Sequence, residues 1–241
     1  MRNLCFLATI ITVSMLLGAE ADMGKPVEEE PLTDIQKKVN DLWVNLLHAK
    51  PFQIDNDESA YAICNVAPSS KLEPSDIQVT GQVLFKQAYP NGKLEAIFNL
   101  EGFPIDANQS LRAIHIHNYG DLTDGCNSAG PHYNPFSVNH PLHPGDFGNF
   151  RVRAAKIQKH LTNLEATIFG PYSIIGRSIV IHEQADDLGK GSNQASLENG
   201  NAGKRLACCV IGFSNKNNWE KYYQGSAGAK IVRFSRRVKN V

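Results

Sequence analysis

Residues 113–150 read AIHIHNYGDLTDGCNSAGPHYNPFSVNHPLHPGDFGNF, and the fold class and the chemistry can both be argued outward from them. His115 and His117 alternate with Ala113, Ile114 and Ile116, a pattern typical of a β-strand. Side chains at i and i+2 of a strand share a face, so we expect both imidazoles to point the same way. The rest of the segment is rich in Gly, Pro, Asn and Ser and has no regular period, which predicts a long functional loop.

The same segment holds five of the protein's eight histidines and one aspartate that can ligate a metal: His115, His117, His132, His140, His143 and Asp146. Histidines paired on a strand are usually ordinary polar residues, but this density favours a metal site. Imidazole suits zinc, copper, iron and nickel, and a carboxylate beside imidazoles is a common zinc set. Six donors exceed the need of one four-coordinate ion, which suggests two ions, or one ion with bystanders.

Length and charge limit the class of protein. A chain of 241 residues fits one ordinary domain with appendages. The formal net charge is zero, which argues against a nucleic-acid partner. The balance hides an asymmetry, since residues 28–30 are all Glu and residues 216–241 are strongly basic.

The N-terminal residues 1–21 read MRNLCFLATIITVSMLLGAEA and resemble a secretory signal peptide. Arg2 supplies the basic start, an apolar core follows, and Ala19-Glu20-Ala21 fits a cleavage site. The apolar run is too short to span a membrane comfortably, and no later segment is apolar over about 18 residues. We therefore expect a protein secreted to the extracellular space, without a membrane span and without Cys5.

Four cysteines remain after that cleavage: Cys64, Cys126, Cys208 and Cys209. An even number in a secreted chain suggests two disulfides, for which three pairings exist. Cys208 and Cys209 are neighbours in a predicted strand, so their side chains face opposite ways. Each is therefore expected to pair elsewhere, one with Cys126 and one with Cys64.

Residues 22–58 are predicted to form an acidic lead followed by a helix at 33–49. Thr33 and Gln36 form a capping box, and Pro51 ends the helical pattern. One face of this helix is apolar and consists of Ile35, Val39, Leu42, Trp43, Leu46 and Leu47. The face could pack on its own domain or on copies of itself, and its separation from the histidines favours self-association.

Residues 59–214 are predicted to form an all-β domain, because short strands alternate with turns and no helical period intervenes. The candidate strands are 76–88, 93–101, 111–118, 149–158, 162–168, 177–183 and 205–213. A second Gly- and Asn-rich loop is predicted at 184–204, between His182, which ends the strand RSIVIH, and Arg205. An arginine beside a metal cluster could hold an anion. Asn108 begins a sequon for N-glycosylation, Asn108-Gln109-Ser110.

Across about residues 60–213 the chain resembles the copper/zinc superoxide dismutase family, and within it the extracellular branch. The resemblance is carried by AIHIHNYGD, GCNSAGPHYNP, HPGDFGNF, GRSIVIHEQADDLGKG and NGNAGKRLACCVIG. It implies an eight-stranded Greek-key β-barrel or sandwich with two long functional loops, and this family is itself a known example of the sandwich architecture. It also implies copper and zinc as cofactors.

The resemblance assigns roles residue by residue. The implied copper ligands are His115, His117, His132 and His182. The implied zinc ligands, with His132 bridging the two ions, are His132, His140, His143 and Asp146. Asp186 would link a copper histidine to a zinc histidine, and Arg205 would guide the anion. The implied disulfides are Cys126–Cys208 and Cys64–Cys209.

The implied function is that of a secreted antioxidant enzyme that dismutates superoxide to dioxygen and hydrogen peroxide. One alternative is a copper-transfer or storage domain of the same fold without turnover. Another is a glycan-binding protein in which metals only stabilise the fold. We expect a homo-oligomer, a dimer or a tetramer, formed through the barrel and the N-terminal helix. The basic tail 215–241 is either a flexible, solvated terminus or an arm that binds heparin or heparan sulfate.

Overall fold

The computed structural model describes residues 32–43, 57–105 and 110–223. The predicted signal peptide, the acidic lead, Asn108 and residues 224–241 of the tail lie outside these ranges. Within them the chain forms nine strands, two labelled helices, a 3-10 helix at Gly125–Ala129 and a helical segment at 217–223. The labelled elements follow in the order α1 (Leu32–Leu42), β1 (Ser59–Pro68), β2 (Thr80–Ala88), β3 (Leu94–Glu101), β4 (Leu111–His117), β5 (Asp146–Arg151), β6 (Lys156–Leu164), β7 (Ser178–His182), α2 (Gln194–Asn199), β8 (Arg205–Val210) and β9 (Gly212–Ser214).

The strands form a nearly closed antiparallel barrel, which confirms the predicted fold class. Eight of them follow one hydrogen-bonded path, β5-β4-β7-β8-β1-β2-β3-β6, and the short β9 pairs with β1. Strands distant in sequence become neighbours where β4 meets β7, β8 meets β1 and β3 meets β6. These crossovers give the Greek-key connectivity, and they bring the end of β4 beside the strand that ends at His182.

The barrel interior is filled by apolar side chains from every long strand. Phe85, Phe98, Leu94, Ile114 and Ile181 are among the fully buried members of this core. Strand β1 was not among the predicted strands, because its first four residues are buried on both faces and so show no alternation. The core fixes β4 and β7, the two strands that carry histidines toward the metal-binding region.

Two predicted strands are divided differently in the structure. The predicted strand 149–158 is interrupted at 152–155, which separates β5 from β6. Strand β6 joins the last three residues of that prediction to the first three of the predicted strand 162–168, whose other four residues are not in a strand. The interruption passes through Ala154 and Ala155, both of which have positive φ. No Gly, Asn or Pro marks this turn, so turn chemistry could not have located it.

The ends of the described chain also refine the predictions. Helix α1 agrees with the start of the predicted helix, and the rest of that prediction lies outside the described residues. The tail was predicted to be flexible from residue 215, but residues 217–223 are helical. Trp219 in this segment is only 7% exposed and packs with Tyr61, Leu84 and Ile97. The basic composition of the tail gave no indication that Trp219 packs against the barrel.

No helix among the described residues is both long enough and apolar enough to cross a membrane.

Candidate metal centre

Three histidines are held by adjacent strands of the barrel. His115 and His117 lie on β4, and His182 ends β7, which pairs with β4 in antiparallel register. All three are at most 4% exposed. The Nε2 atoms of His117 and His182 face each other at 3.3 Å. Two neutral imidazoles brought this close leave room for a cation that both nitrogens can bind.

The outward-facing nitrogen of each of these rings has an oxygen partner. Nδ1 of His117 lies 2.8 Å from the Gly130 carbonyl oxygen, and Nδ1 of His182 lies 3.4 Å from that of Gly203. Nε2 of His115 lies 2.8 Å from Oδ2 of Asp186. A ring nitrogen that donates its N–H to such an oxygen leaves the lone pair on the other nitrogen. The lone pairs therefore point into the centre.

The loop after β4 supplies a second set of donors, which is arranged around one carboxylate. Oδ1 of Asp146 lies 3.1 Å from Nδ1 of His132. Its Oδ2 lies 2.9 Å from Nδ1 of His140 and 3.0 Å from Nδ1 of His143. Nε2 of His143 faces the carbonyl oxygen of Val138 at 3.1 Å. Asp146 thus gathers the Nδ1 atoms of three histidines from different turns of the loop.

His132 belongs to both sets. It forms an isolated β-bridge with His117, which places its ring against the strand-held histidines. Its ring centroid lies 4.1 Å from that of His115 and 5.3 Å from that of His140. Nδ1 faces Asp146, whereas Nε2 is directed away from that carboxylate and has no hydrogen-bond partner. A single imidazole is therefore shared between two groups of donors.

The donor atoms fit two metal ions. Four buried ring nitrogens have no hydrogen-bond partner: Nδ1 of His115, His140 and His143 and Nε2 of His132. Two of them lie within 3.0 Å of Asp146 but lack hydrogen-bond geometry. Buried polar atoms normally have a hydrogen-bond partner, so four unpaired nitrogens in one place indicate a site for bound metal ions.

Distance alone gives two groups of donors that overlap at His115 and His132. Ligand atoms of one group, His115, His117, His132 and His182, all lie within 4.8 Å of one another. A second such group contains His115, His132, His140 and Asp146. His143 is not in the second group, although its Nδ1 approaches the same carboxylate oxygen as His140 does.

The Asp186 carboxylate connects a ring of each group through the Nε2 atoms of His115 and His140. Its Oδ2 accepts from Nε2 of His115, and its Oδ1 lies 2.7 Å from Nε2 of His140. Asn149 on β5 holds the backbone of Asp186 through two hydrogen bonds of 2.8 Å, one to its carbonyl oxygen and one from its N–H. The Leu188 N–H adds a bond of 2.7 Å to Oδ1. A carboxylate so fixed sets the orientation of a ring on each side.

Burial keeps the rings on the strand side neutral. It lowers the pKa of His117 and of His182 well below the usual value, and nearby cations, including Arg205, lower both further. Burial also lowers the pKa of His132 to about 4, despite its hydrogen bond with Asp146. A neutral imidazole offers a lone pair, so these rings are prepared for a cation at neutral pH.

Among the donors held by the loop, charged forms are stabilised rather than neutral ones. Burial alone would lower the pKa of His140, but the adjacent carboxylates of Asp146 and Asp186 outweigh it and raise that pKa to about 9. Burial likewise opposes ionisation of Asp146 and Asp186, but the histidines beside them hold both pKa values well below the usual range. Two carboxylates in this environment attract a cation, and a protonated His140 supplies one positive charge between them.

Arg205 is the cationic residue at the edge of the strand-held group. Its Nη1 donates to the carbonyl oxygen of Cys126 at 2.9 Å, and its Nη2 donates to that of Gly130 at 2.8 Å. The Gly130 oxygen is also the partner of His117 Nδ1. The guanidinium is half-buried and fixed by backbone, so its charge has a set position relative to His117.

Two disulfides hold this region together. Cys126–Cys208 ties the loop that carries the Arg205 acceptors to β8, the strand that begins with Arg205. Cys64–Cys209 joins β1 to the same strand β8. Cys208 and Cys209 side chains face opposite ways, as the strand pattern predicts. The pairing agrees with the one that the resemblance implies.

Two kinds of contact at the centre escaped the sequence analysis. Backbone carbonyls, such as those of Gly130 and Gly203, leave no side-chain signal. Asn149 could have been noticed, because it stands in the motif HPGDFGNF three residues after Asp146. All the metal-ligating candidates, together with Asp186 and Arg205, lie in one region, whereas Asn108 lies outside the described residues.

Comparison with known proteins places this geometry in a family. Residues 79–211 match the family model described as copper/zinc superoxide dismutase. The extracellular superoxide dismutase [Cu-Zn] of Mus musculus is 52% identical over 207 residues, which cover 83% of this chain and 81% of the relative. The protein of the same name from Homo sapiens is 50% identical over 80% of this chain and 78% of the relative.

A shorter relative sets the extent of the shared domain. The superoxide dismutase [Cu-Zn] of Kluyveromyces lactis is 46% identical over 147 residues, which cover 58% of this chain and 93% of the relative. The match with the two extracellular relatives therefore covers more of this chain than the match with this shorter relative does. On the family model and these identities, the chain belongs to the copper/zinc superoxide dismutase family.

Proposed function

We propose that this chain is a secreted enzyme that converts two superoxide anions and two protons into dioxygen and hydrogen peroxide. The observation that carries the proposal is the position of His132. Its Nδ1 faces the carboxylate-centred group, and its buried Nε2 faces three strand-held histidines. A shared ring of this kind suits a pair of ions rather than two independent sites.

The proposed assignment follows the donor groups. Copper would be held by His115, His117, His132 and His182. Zinc would be held by His132, His140, His143 and Asp146. When bound, copper supplies the one-electron exchange with superoxide, while zinc, which has no redox chemistry, supplies charge and order. The all-nitrogen group suits a redox-active copper ion, and the group containing a carboxylate suits zinc.

Arg205 is proposed to bind and orient the anion. Superoxide is a small monoanion, and a guanidinium with a fixed position can hold it by charge-assisted hydrogen bonds. The backbone carbonyls of Cys126 and Gly130 keep the guanidinium beside His117 without neutralising its charge. The disulfide Cys126–Cys208 ties the segment that carries these carbonyls to β8, the strand that begins with Arg205.

His132 is proposed to handle a proton during turnover. Its Nε2 is buried and unpartnered, and it points toward the strand-held group where the anion would react. Nε2 of His132 is therefore the atom of this chain best placed to accept a proton and pass it to the nascent peroxide.

The activity can be tested on purified protein that has been loaded with copper and zinc. We expect rapid superoxide decay that a copper chelator abolishes and that restored copper recovers. Copper that stays bound while superoxide decays at the spontaneous rate would instead indicate the storage or transfer alternative. Measurement of metal content beside activity distinguishes these outcomes.

Secretion and glycosylation are part of the same proposal. Residues 1–21 have the composition of a cleaved signal peptide, and the relatives named extracellular cover about four fifths of the chain. Asn108 would carry an N-linked glycan in that compartment. N-terminal sequencing and glycosidase treatment of the protein collected from culture medium test both assignments.

We also propose a homo-oligomer, either dimer or tetramer, formed through the barrel and helix α1. Leu32, Ile35, Val39 and Leu42 are between 47% and 72% exposed along this helix. Such a stripe of apolar side chains suits association with copies of the same helix. Deletion of residues 22–50 is expected to lower the mass in light scattering and to leave the specific activity unchanged.

The basic tail is proposed to bind heparin or heparan sulfate. It carries one acid, Glu220, and seven cations: Lys216, Lys221, Lys230, Arg233, Arg236, Arg237 and Lys239. Spread charges bind weakly one arm at a time, but several arms of an oligomer add through effective concentration. Retention on heparin should therefore weaken with salt and should need both residues 224–241 and the N-terminal helix.

A further inference from the structure

The barrel is open along one seam, between β5 and β6. These strands are the two ends of the hydrogen-bonded path, although they are consecutive in the chain. A bridge between Arg153 and Lys156 closes the turn that joins them. Beyond this turn the strands diverge and enclose a cleft of about 790 Å³. None of the metal-ligating candidates lines the cleft, although Asn149, which holds the backbone of Asp186, is among its lining residues.

The inner side of the cleft is apolar. Its lining includes Phe147, Phe150, Ile157 and Leu161. Phe150 and Ile157 are nearly fully buried members of the barrel core, while Phe147 and Leu161 are partly exposed and pack against that core. The rings of Phe147 and Phe150 both contact Phe98, with centroids 5.4 Å and 4.6 Å apart. Phe147 and Leu161 are therefore the apolar side chains that the seam leaves partly exposed.

The outer side of the same cleft is cationic. Arg151, Arg153, Lys156 and Lys159 contribute to its lining, and all four are exposed. No residue among the described lining is acidic. Lys156 lies 2.9 Å from Glu101. A cleft lined by charges of one sign favours a ligand of the opposite sign.

We propose that this seam binds an amphipathic monoanion, namely a free fatty-acid carboxylate. The carboxylate lies among the cations at the mouth, and the hydrocarbon tail lies on Phe147 and Leu161. The cleft volume falls in the range of about 300–1,000 Å³ that is usual for small-molecule sites. Neither an inorganic anion nor a sulfated polysaccharide uses the apolar side, so dependence on tail length is the distinctive property.

Titration calorimetry on the full-length, metal-loaded protein tests tail length directly. Hexanoate, octanoate and decanoate are compared below the concentration at which they form micelles. We expect the Kd to fall about fourfold for each added methylene, since each buried methylene contributes roughly that factor. Decyltrimethylammonium, which has the same tail with the opposite charge, should not bind. A Kd independent of tail length, or no heat with decanoate, would overturn the proposal.

Variants locate the carboxylate. Arg153→Gln combined with Lys159→Gln should weaken decanoate binding by roughly tenfold, because it removes two of the four charges. Lys71→Gln combined with Lys93→Gln removes two cations outside the cleft and should leave the Kd unchanged. Equal weakening in both double variants would reduce the effect to net charge and overturn the site.

Two further outcomes would also overturn the assignment. Loss of decanoate binding in Arg205→Ala, with both seam variants unaffected, would place the carboxylate at the metal-binding region. Displacement of decanoate by inorganic phosphate at equal concentration would show that the apolar side contributes nothing. If a heparin fragment bound the seam cations more tightly than decanoate did, and the Kd of the fatty acids did not depend on tail length, the seam would be assigned to a polyanion.

Discussion

The strand-held histidines and the loop-held donors reach the same centre by different means. His115, His117 and His182 are positioned by the paired strands β4 and β7, and backbone carbonyls or Asp186 orient their rings. His140 and His143 come from an irregular loop and are arranged around Asp146. The first group is fixed by the fold, whereas the second is fixed largely by its own members. This difference in what holds the donors supports the proposal that one group serves redox chemistry and the other structural order.

Removal of the His132 ring, which both groups of donors share, should lower the enzymatic activity most. His132→Ala deletes a donor from both groups and the proposed proton position, so we expect superoxide turnover to fall by roughly a hundredfold or more. The barrel should remain folded, because its core does not depend on this loop residue. His160→Ala, at an exposed histidine outside the centre, is the matched control. Wild-type turnover in His132→Ala with both metals bound would contradict the bridging assignment.

Disruption of the loop-held group alone should affect order more than chemistry. His143→Ala removes one donor near Asp146, and we expect zinc affinity to fall at least about tenfold while copper stays bound. Superoxide turnover should fall less than in His132→Ala. Metal content of dialysed protein and hydrogen exchange of residues 118–145 provide the measurements. Loss of copper with retention of zinc would reverse the proposed assignment of the two groups.

A smaller effect is expected at the edge of the strand-held group. Arg205→Ala removes the fixed cation, and we expect turnover to fall roughly tenfold at low salt with both metals retained. The difference from wild type should shrink as salt rises, because ions screen the attraction between Arg205 and superoxide. Arg205→Lys keeps the charge and should retain more activity than Arg205→Ala. Equal activity of all three proteins at low salt would remove Arg205 from the account.

The sequence predicted the strand-held part of the centre better than the loop-held part. The alternation around His115 and His117 predicted a strand, and the structure directs both rings toward His132. The spacing of His140, His143 and Asp146 suggested donors, but no local period can place them in space. Their assignment depended on the resemblance, and the specific metal at each group remains a proposal.

The barrel itself was predicted as a class, although its boundaries were not. Strand β1 lacks alternation because it is buried on both faces at its start. The turn at 152–155 was hidden by a sequence without turn residues, yet it creates the seam between β5 and β6. Helix α2 was read as loop, since only its cap, where Asn193 accepts from the Ser196 N–H, marks its start. Tertiary packing decided each of these features, and local patterns do not record it.

Selective metal loading tests the central claim most directly. The wild-type protein is stripped and then given copper and zinc, copper alone, zinc alone or neither, and the rate of superoxide decay is measured with the metal content. Rapid decay is predicted whenever the strand-held group contains copper, with zinc raising stability more than rate. Decay with zinc alone that equals decay with both metals would contradict the account, because the chemistry would then not depend on copper at His115, His117, His132 and His182.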